Sequence, residues 1–477
     1  MTIKEKLSSE PGFQYIIDSM ELMSAAGRRR MMQQEFLTDS KALQREYDDM
    51  GRIVATLGDK ANSHAVATIR HQFMQMHDIQ GTLAGLGNGT VLEELELFEI
   101  KSFTFLCLEA AKAAAELGIE EIVALPDTKP VFSLLDPDNT QIPNFYIYDS
   151  YHPDLAELRR QLNALQTKLD NSEGDGNVEL QRRINDLFEK QNEIQRVVIA
   201  ELSGRLHPYH AMLQEAFERM AYADFIFAKA TLATQWALCR PEITDNPTPK
   251  ASFTGLWNPR LKHRNEELGQ RYQPIDIELM SGVCLVTGAN MAGKTVLLKT
   301  IGIAQLLAQF GFFVPATNAA ITLADDVLFC IGDEQNEMNG LSSFASEIVK
   351  ISDTVSRSGK ERLLILIDEP ARTTNPVEGK AIVQSVASIL DRRNSITIIT
   401  THYSQLGLPC RKLRVKGFVE NLADIPLSPD NINRFMDYSL LPVDDDDVPQ
   451  EALRIAAILG CDQKLLETAR QFINTRS

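Results

Sequence analysis

The chain has 477 residues, is 44% hydrophobic and 24% charged, and carries a net charge of −17. Its length suggests about two or three domains. No stretch approaches the ~18 or more consecutive apolar residues that a membrane-spanning helix needs. No apolar core follows Met-Thr-Ile-Lys-Glu-Lys at the N-terminus, so neither a signal peptide nor a membrane partner is expected. Residues 1–250 hold 25 Lys+Arg against 38 Asp+Glu, a balance of −13, and residues 251–477 hold 23 against 27, a balance of −4. That balance argues against strong non-specific affinity for DNA, which rests on basic surface displacing counterions. Cys107, Cys239, Cys284, Cys330, Cys410 and Cys461 show no metal-ligand spacing, and the expectation is reduced thiols in a cytoplasmic protein.

Residues 1–90 show apolar positions at mixed three- and four-residue spacing, which predicts helices. Arg28, Arg29 and Arg30 fall on successive helical positions and point in different directions, so a solvated face is expected. Gly81, Gly85, Gly87 and Gly89 have no preceding buried strand and no phosphate-binding lysine. They predict a corner between helices, with Thr90–Glu93 as a capping box for the next helix. Leu155, Leu158, Leu162, Leu165 and Leu169, then Ile184, Leu187, Gln191, Ile194 and Val198, step by three and four on either side of Gly174–Asn177. This is the seam of an antiparallel helical hairpin over 153–200, each arm about 30 Å long. It fits a plain bundle element and a protruding lever arm alike. Prolines and polar residues near 240 mark a domain boundary. Beyond it, Val283–Val286, Val327–Ile331, Leu363–Ile367 and Ile396–Ile399 predict buried parallel strands. Asp444–Asp447 predicts a solvated loop before a final helical region, 451–474.

The chemistry concentrates in this second half. Gly288-Ala-Asn-Met-Ala-Gly-Lys-Thr295 matches G-x-x-x-x-G-K-[ST], set between a strand and a predicted helix over 295–309. Its glycines let backbone N–H groups close around phosphates, and the helix N-terminus adds a favourable dipole. Lys294 suits β- and γ-phosphates, and Thr295 suits Mg²⁺. The apolar strand Leu363–Ile367 leads into Asp368 and Glu369, which could be caps at the strand end; with the phosphate loop upstream, the expectation is that Asp368 holds Mg²⁺ and that Glu369 positions or deprotonates the attacking water. His402 follows a strand end, where ligands bind in open α/β sheets, and could sense a γ-phosphate or be structural. Gly340–Glu347 predicts a turn that opens a helix, with Ser342 or Ser343 as its cap.

"TGANMAGKT", "GLSSFASE", "LIDEPARTTNPVEG" and "TTHYSQL" stand in the order and spacing of the MutS mismatch-repair ATPases, a branch of the ABC ATPases. "IYDSYHPDLAELRRQL" and "YADFIFAKATLA" resemble that family's helical core and lever. The resemblance implies a multidomain α + α/β fold: an all-helical core and lever region over 1–245, then an ABC-type P-loop ATPase domain over 246–477. It implies ATP and Mg²⁺ as ligands, with Gly288, Asn290, Gly293, Lys294 and Thr295 on the nucleotide, and Thr295 and Asp368 on the metal. Glu369 would be the water-activating acid, His402 the switch histidine, and Tyr272 the residue stacked on adenine. Ser342 would reach the γ-phosphate held by the partner of a homodimer, or of a heterodimer with a MutS-like paralogue. The mismatch-reading domain and the duplex clamp of the family have no counterpart here, and Pro370 follows Glu369 as in ABC transporters. The expected function is a dimeric ATPase that moves helical arms in a DNA repair or recombination transaction. The alternative is remodelling of a client protein, such as reactivation of an adenosylcobalamin-dependent amino-acid aminomutase.

Overall fold

The computed structural model describes residues 1–7, 11–171, 177–244, 248–288, 293–332, 343–418, 435–444, 453, 456–457 and 460–474. Gly174–Gly176 of the expected turn, and the Asp residues at 445–447, lie outside these. The chain forms two compact units that no single cut separates. One comprises Glu21–Gln34 and Arg52–Thr231. The other comprises Met1–Met20, Glu35–Gly51 and Leu232–Ser477.

The first unit is helical. Its principal helices are Ser63–Gln75, Glu94–Glu116, Pro153–Asp170 and Asn177–Leu206, with most of His210–Trp236. Phe73 meets Phe227 and Phe103 meets Phe217 in its core. The predicted hairpin is present: Pro153–Asp170 packs on Asn177–Leu206. All ten seam residues are at least partly covered, and Leu155, Leu162, Ile184 and Val198 are buried. The second arm is longer than expected and runs on to bury Leu202 and Leu206.

Two local expectations need correction. The cap of Glu94–Glu116 is Glu93 with Glu96, not Thr90 with Glu93. Thr90 is already engaged: its N–H donates to the Gly85 carbonyl and closes the preceding helix Gln80–Gly87. The arginine triplet is not uniformly solvated. Arg28 is exposed, Arg29 makes a two-pronged contact with Asp78, and the Arg30 guanidinium lies 5.7 Å from the centre of the Tyr222 ring.

The interior of this unit also holds an ion pair. Lys101 is fully buried and donates to the Asp136 carboxylate (3.0 Å), the Asn144 carbonyl (2.8 Å) and the Tyr148 hydroxyl (2.7 Å). These use all three protons of the ammonium. Asp136 also accepts from the Thr140 hydroxyl and the Gln141 N–H.

The second unit is built on two sheets. The strands are β1 (Glu242–Ile243), β2 (Lys250–Leu256), β3 (Ile275–Met280), β4 (Gly282–Thr287), β5 (Asn318–Ile321), β6 (Asp326–Cys330), β7 (Leu363–Asp368), β8 (Ile396–Thr400), β9 (Arg411–Phe418) and β10 (Met436–Pro442). The larger sheet has the order β10-β9-β4-β8-β7-β6, parallel throughout except for the edge strand β10. The smaller has the order β1-β5-β2-β3 and is largely antiparallel. Buried residues fill β4 and β8, and all of β7 but its last position. That is why these segments read as unbroken apolar runs: helices cover both faces of a parallel sheet. The helix Lys294–Gln309 lies against the sheet so closely that a Cβ on Gly302 would fall 2.3 Å from the Phe329 ring. Val283, Leu285, Ile365, Ile367, Ile399, Val383 and Leu390 join in one core cluster.

Chain order and sheet order together position the site. After β4 the chain crosses to the far edge at β6 and returns through β7 and β8 to lie beside β4. It then passes to β4's other side at β9. The strand order thus reverses at β4, and in such sheets the crevice at the carboxyl ends of the strands is where ligands bind. The register aligns these ends: Val286 pairs with Thr400, and Thr400 with Asp368.

Candidate functional site

This register brings together Gly288 and Gly293–Thr295 after β4, Asp368 and Glu369 at the end of β7, and Thr400–His402 at the end of β8. Gly288 and Gly293 have φ of 155° and 73°, conformations that a Cβ would oppose. Lys294, 5% exposed, begins the helix Lys294–Gln309 and donates to the Gly288 carbonyl at 2.8 Å. Its ammonium also lies 3.2 Å from Glu369 Oε1. The exposed Thr295 hydroxyl donates to Asp368 Oδ2 at 2.6 Å, and the Thr400 hydroxyl donates to Asp368 Oδ1.

Glu369 has φ of 44° and Ala371 has φ of 60°. Such left-handed conformations cost about 1–3 kcal/mol each in non-glycine residues and persist where surrounding contacts enforce them. Here the Glu369 N–H donates to both the hydroxyl and the carbonyl of Thr400. The Ala371 N–H donates to Glu347 Oε1, and the Ala371 carbonyl accepts from the Tyr403 hydroxyl. Burial pushes the Glu347 carboxyl above its usual range, although the Ala371 N–H favours its charged form. The consequence is a carboxylate turned back toward Lys294. Its Oε2 lies 3.6 Å from Arg372 and 3.9 Å from His402 Nδ1. Burial lowers the His402 imidazole from its ordinary value, with Lys294 and Arg372 acting the same way and Glu369 opposing them. Burial thus favours the neutral form of His402.

The positions expected from the sequence to meet a nucleotide form two groups. Gly288, Gly293, Lys294, Thr295, Asp368, Glu369 and His402 come together, whereas Asn290 and Ser342 lie outside the described residues. Tyr272 is half-buried, and its hydroxyl accepts from the Asn258 N–H at 2.8 Å. Tyr438 is a neighbour that sequence reasoning missed. A Cβ on Gly293 would lie 3.3 Å from its ring, and its phenol raises that of Tyr272 further after burial has done so. Thr400, Arg372, Glu347 and Tyr403 were missed as well. None forms a motif on its own, because each acts through a pairing that only the folded sheet creates.

Chemically, one lysine, one hydroxyl and two carboxylates converge at a helix N-terminus, an arrangement suited to a polyphosphate and a hard divalent cation. Residues 284–475 match the family model for MutS domain V. Over this segment the chain is similar to the MutS family. The curated relatives it resembles include the Endonuclease MutS2 proteins of three bacteria. That of Agathobacter rectalis is 33% identical over 303 residues, covering 62% of this chain and 36% of the relative. That of Gemmatimonas aurantiaca is 31% identical, covering 62% of this chain and 35% of the relative. That of Levilactobacillus brevis is 34% identical over 223 residues, covering 46% and 27%. The MutS likeness thus spans about a third of the length of these relatives. Among the described residues, no helix is long and apolar enough to cross a membrane.

Proposed function

We propose that this MutS-like chain binds ATP with magnesium and hydrolyses it, working as a dimer whose helical arms move in a DNA repair or recombination transaction. The observation that carries the ATPase reading is the convergence of Lys294, Thr295, Asp368 and Glu369 on one point, with Thr295 bonded to Asp368 at 2.6 Å and Lys294 3.2 Å from Glu369.

Backbone N–H groups of the loop Gly288–Gly293, with Asn290 among its residues, would surround the β-phosphate, and Lys294 would reach the γ-phosphate. Thr295 and Asp368 fit a magnesium ion, because their oxygens already adjoin and this cation takes few protein ligands beside water and phosphate. When bound, magnesium neutralises charge on the β- and γ-oxygens. An incoming γ-phosphate competes for Lys294 and so releases Glu369 from its ion pair. Glu369 then accepts a proton from the attacking water or orients it, and the neutral imidazole of His402 is available as a hydrogen-bond partner at the γ-phosphate. Tyr272 and Tyr438 would flank the base. Ser342 of one copy would complete the site of the other, making two composite sites per dimer. Domain V and the MutS2 relatives support a role in DNA transactions.

The DNA partner is tested by ATP turnover at low salt, with and without duplex and branched DNA. Stimulation that fades as salt rises is expected, since phosphate contacts release counterions. Turnover that no DNA changes, at any salt, would remove DNA as the partner.

A second expectation concerns pH. The folded His402 titrates below the ordinary 6.5, so its protonation opposes the native site and takes effect only as pH falls below that value. Turnover should level off in this group toward neutral and higher pH and decline on the acid side. His402→Asn should lower the plateau and remove that acid limb. An unchanged acid limb in the variant would assign it to another group.

A further inference from the structure

We infer that Asn258 is a positioning residue for the nucleotide base, fixing Tyr272 against the helix that carries the phosphate site. This rests on the ATP-binding reading above and adds to it the residue that ties base recognition to phosphate recognition.

Asn258 follows the last residues of β2 and is 7% exposed. Three of its polar groups reach three different elements. The backbone N–H donates to the Tyr272 hydroxyl at 2.8 Å. The side-chain Oδ1 accepts from the Leu261 N–H at 3.2 Å and caps the helix Pro259–Glu267. The side-chain Nδ2 donates to the Thr300 hydroxyl at 3.2 Å. Thr300 is buried on the helix Lys294–Gln309, whose first residues are Lys294 and Thr295, and its own hydroxyl proton goes to the Val296 carbonyl at 2.6 Å. Thr300 is thereby left as an acceptor for Asn258.

The geometry has a specific consequence. Tyr272 lies in the segment before β3, and its phenol has one anchor, the Asn258 N–H, that leads on to the phosphate-site helix. The side-chain bonds of Asn258 hold that N–H in place from two directions. A buried side chain with donor and acceptor both satisfied is rigid, and leaving either partner alone in the interior is unfavourable. Tyr272 therefore keeps a fixed orientation relative to Lys294 and Thr295. A purine whose phosphates sit on those residues meets a ring already in place, so less side-chain ordering is left for binding to supply. No comparable demand falls on a ligand made of phosphates alone.

That difference provides the test. The wild-type chain, Asn258→Ala, Asn258→Asp and Tyr272→Phe are each titrated calorimetrically with magnesium ATP and with magnesium tripolyphosphate, which lacks base and sugar. ATP turnover is measured in parallel. Asn258→Ala and Tyr272→Phe are expected to weaken ATP about tenfold, with tripolyphosphate within about twofold of wild type, raising KM while kcat holds. Asn258→Asp retains the helix cap, since Asp caps as well as Asn, but not the Nδ2 donor. It is expected to fold and to show a smaller loss of the same kind, so the test survives if Asn258→Ala does not fold. Equal weakening of both ligands would mean a purely structural role and overturn the inference, as would unchanged ATP affinity in Tyr272→Phe and Asn258→Asp. If the wild-type chain itself binds no ATP, the ATP reading fails first, which is distinguishable from a wild type that binds ATP while the variants keep its affinity.

Discussion

Replacing Glu369 by Gln should lower ATP turnover by about 10²–10⁴-fold, the range typical of losing a positioned general base, while ATP binding persists. The amide keeps the volume and the left-handed backbone at φ 44°, which rests on bonds from the Glu369 N–H to Thr400 and not on the side chain. What disappears is the charge that faces Lys294 at 3.2 Å, Arg372 at 3.6 Å and His402 at 3.9 Å. On the proposed mechanism, the attacking water thereby loses its proton acceptor. Lys294 also loses its internal counter-charge, so the γ-phosphate no longer competes for it and ATP should bind at least as tightly as in the wild type. Single-turnover hydrolysis and calorimetric titration separate these two effects. Wild-type turnover in the variant would remove Glu369 from the mechanism. Weakened ATP binding would show instead that its charge supports the site's geometry.

The second large effect concerns stability. Asp136→Ala is expected to destabilise the chain by about 3–5 kcal/mol, because it leaves a charged group buried without its partner. Lys101 is fully buried and Asp136 is 4% exposed, so neither can turn to water. A double change to Met at 101 and Leu at 136 should recover much of the loss, since buried ion pairs commonly break even with apolar packing. The wild-type pair also has a pH signature. Burial alone would raise the Asp136 carboxyl, but hydrogen bonds from Thr140, the Gln141 N–H and Lys101 outweigh it and hold it at about 2. A depressed folded value means the stabilisation is present above the unfolded value of 3.8 and is lost as pH falls from there toward 2. Urea unfolding at neutral pH checks the first expectation, and its repetition between pH 5 and 2 checks the second. An Asp136→Ala chain within 1 kcal/mol of wild type would mean that water reaches the Lys101 ammonium.

Several elements were legible because their signals are local. The apolar runs of β4, β6, β7 and β8 and the hairpin seam from Leu155 to Val198 appear within a residue or two of their predicted positions. Burial on both faces of a strand, or on one stripe of a helix, imprints a period on the sequence itself. The smaller sheet left no such imprint. β2 alternates only in part, β5 has four residues, and both pair with partners far away in the chain. The Glu93 cap was misplaced for a related reason. Thr90 has the chemistry of a cap, but its backbone was already committed to the Gly85 carbonyl.

By itself, then, the sequence determined the chemical inventory: a glycine-framed loop ending in Lys294 and Thr295, an acidic pair after an apolar strand, and a histidine after another. These follow from covalent order and from side-chain type. Only the tertiary structure decided their geometry. Strand register set Asp368 level with Thr400 and Thr400 with Val286. A left-handed turn held by Thr400 and Glu347 aimed Glu369 at Lys294, and Asn258 bound the β2 end to both Tyr272 and Thr300. The N-terminal segments Met1–Met20 and Glu35–Gly51 joined the sheet-containing unit. Each of these rests on contacts between residues remote in the chain. Such contacts form when burial of the whole core offsets the entropy of closing long loops, and that is a property of the assembled fold rather than of any segment.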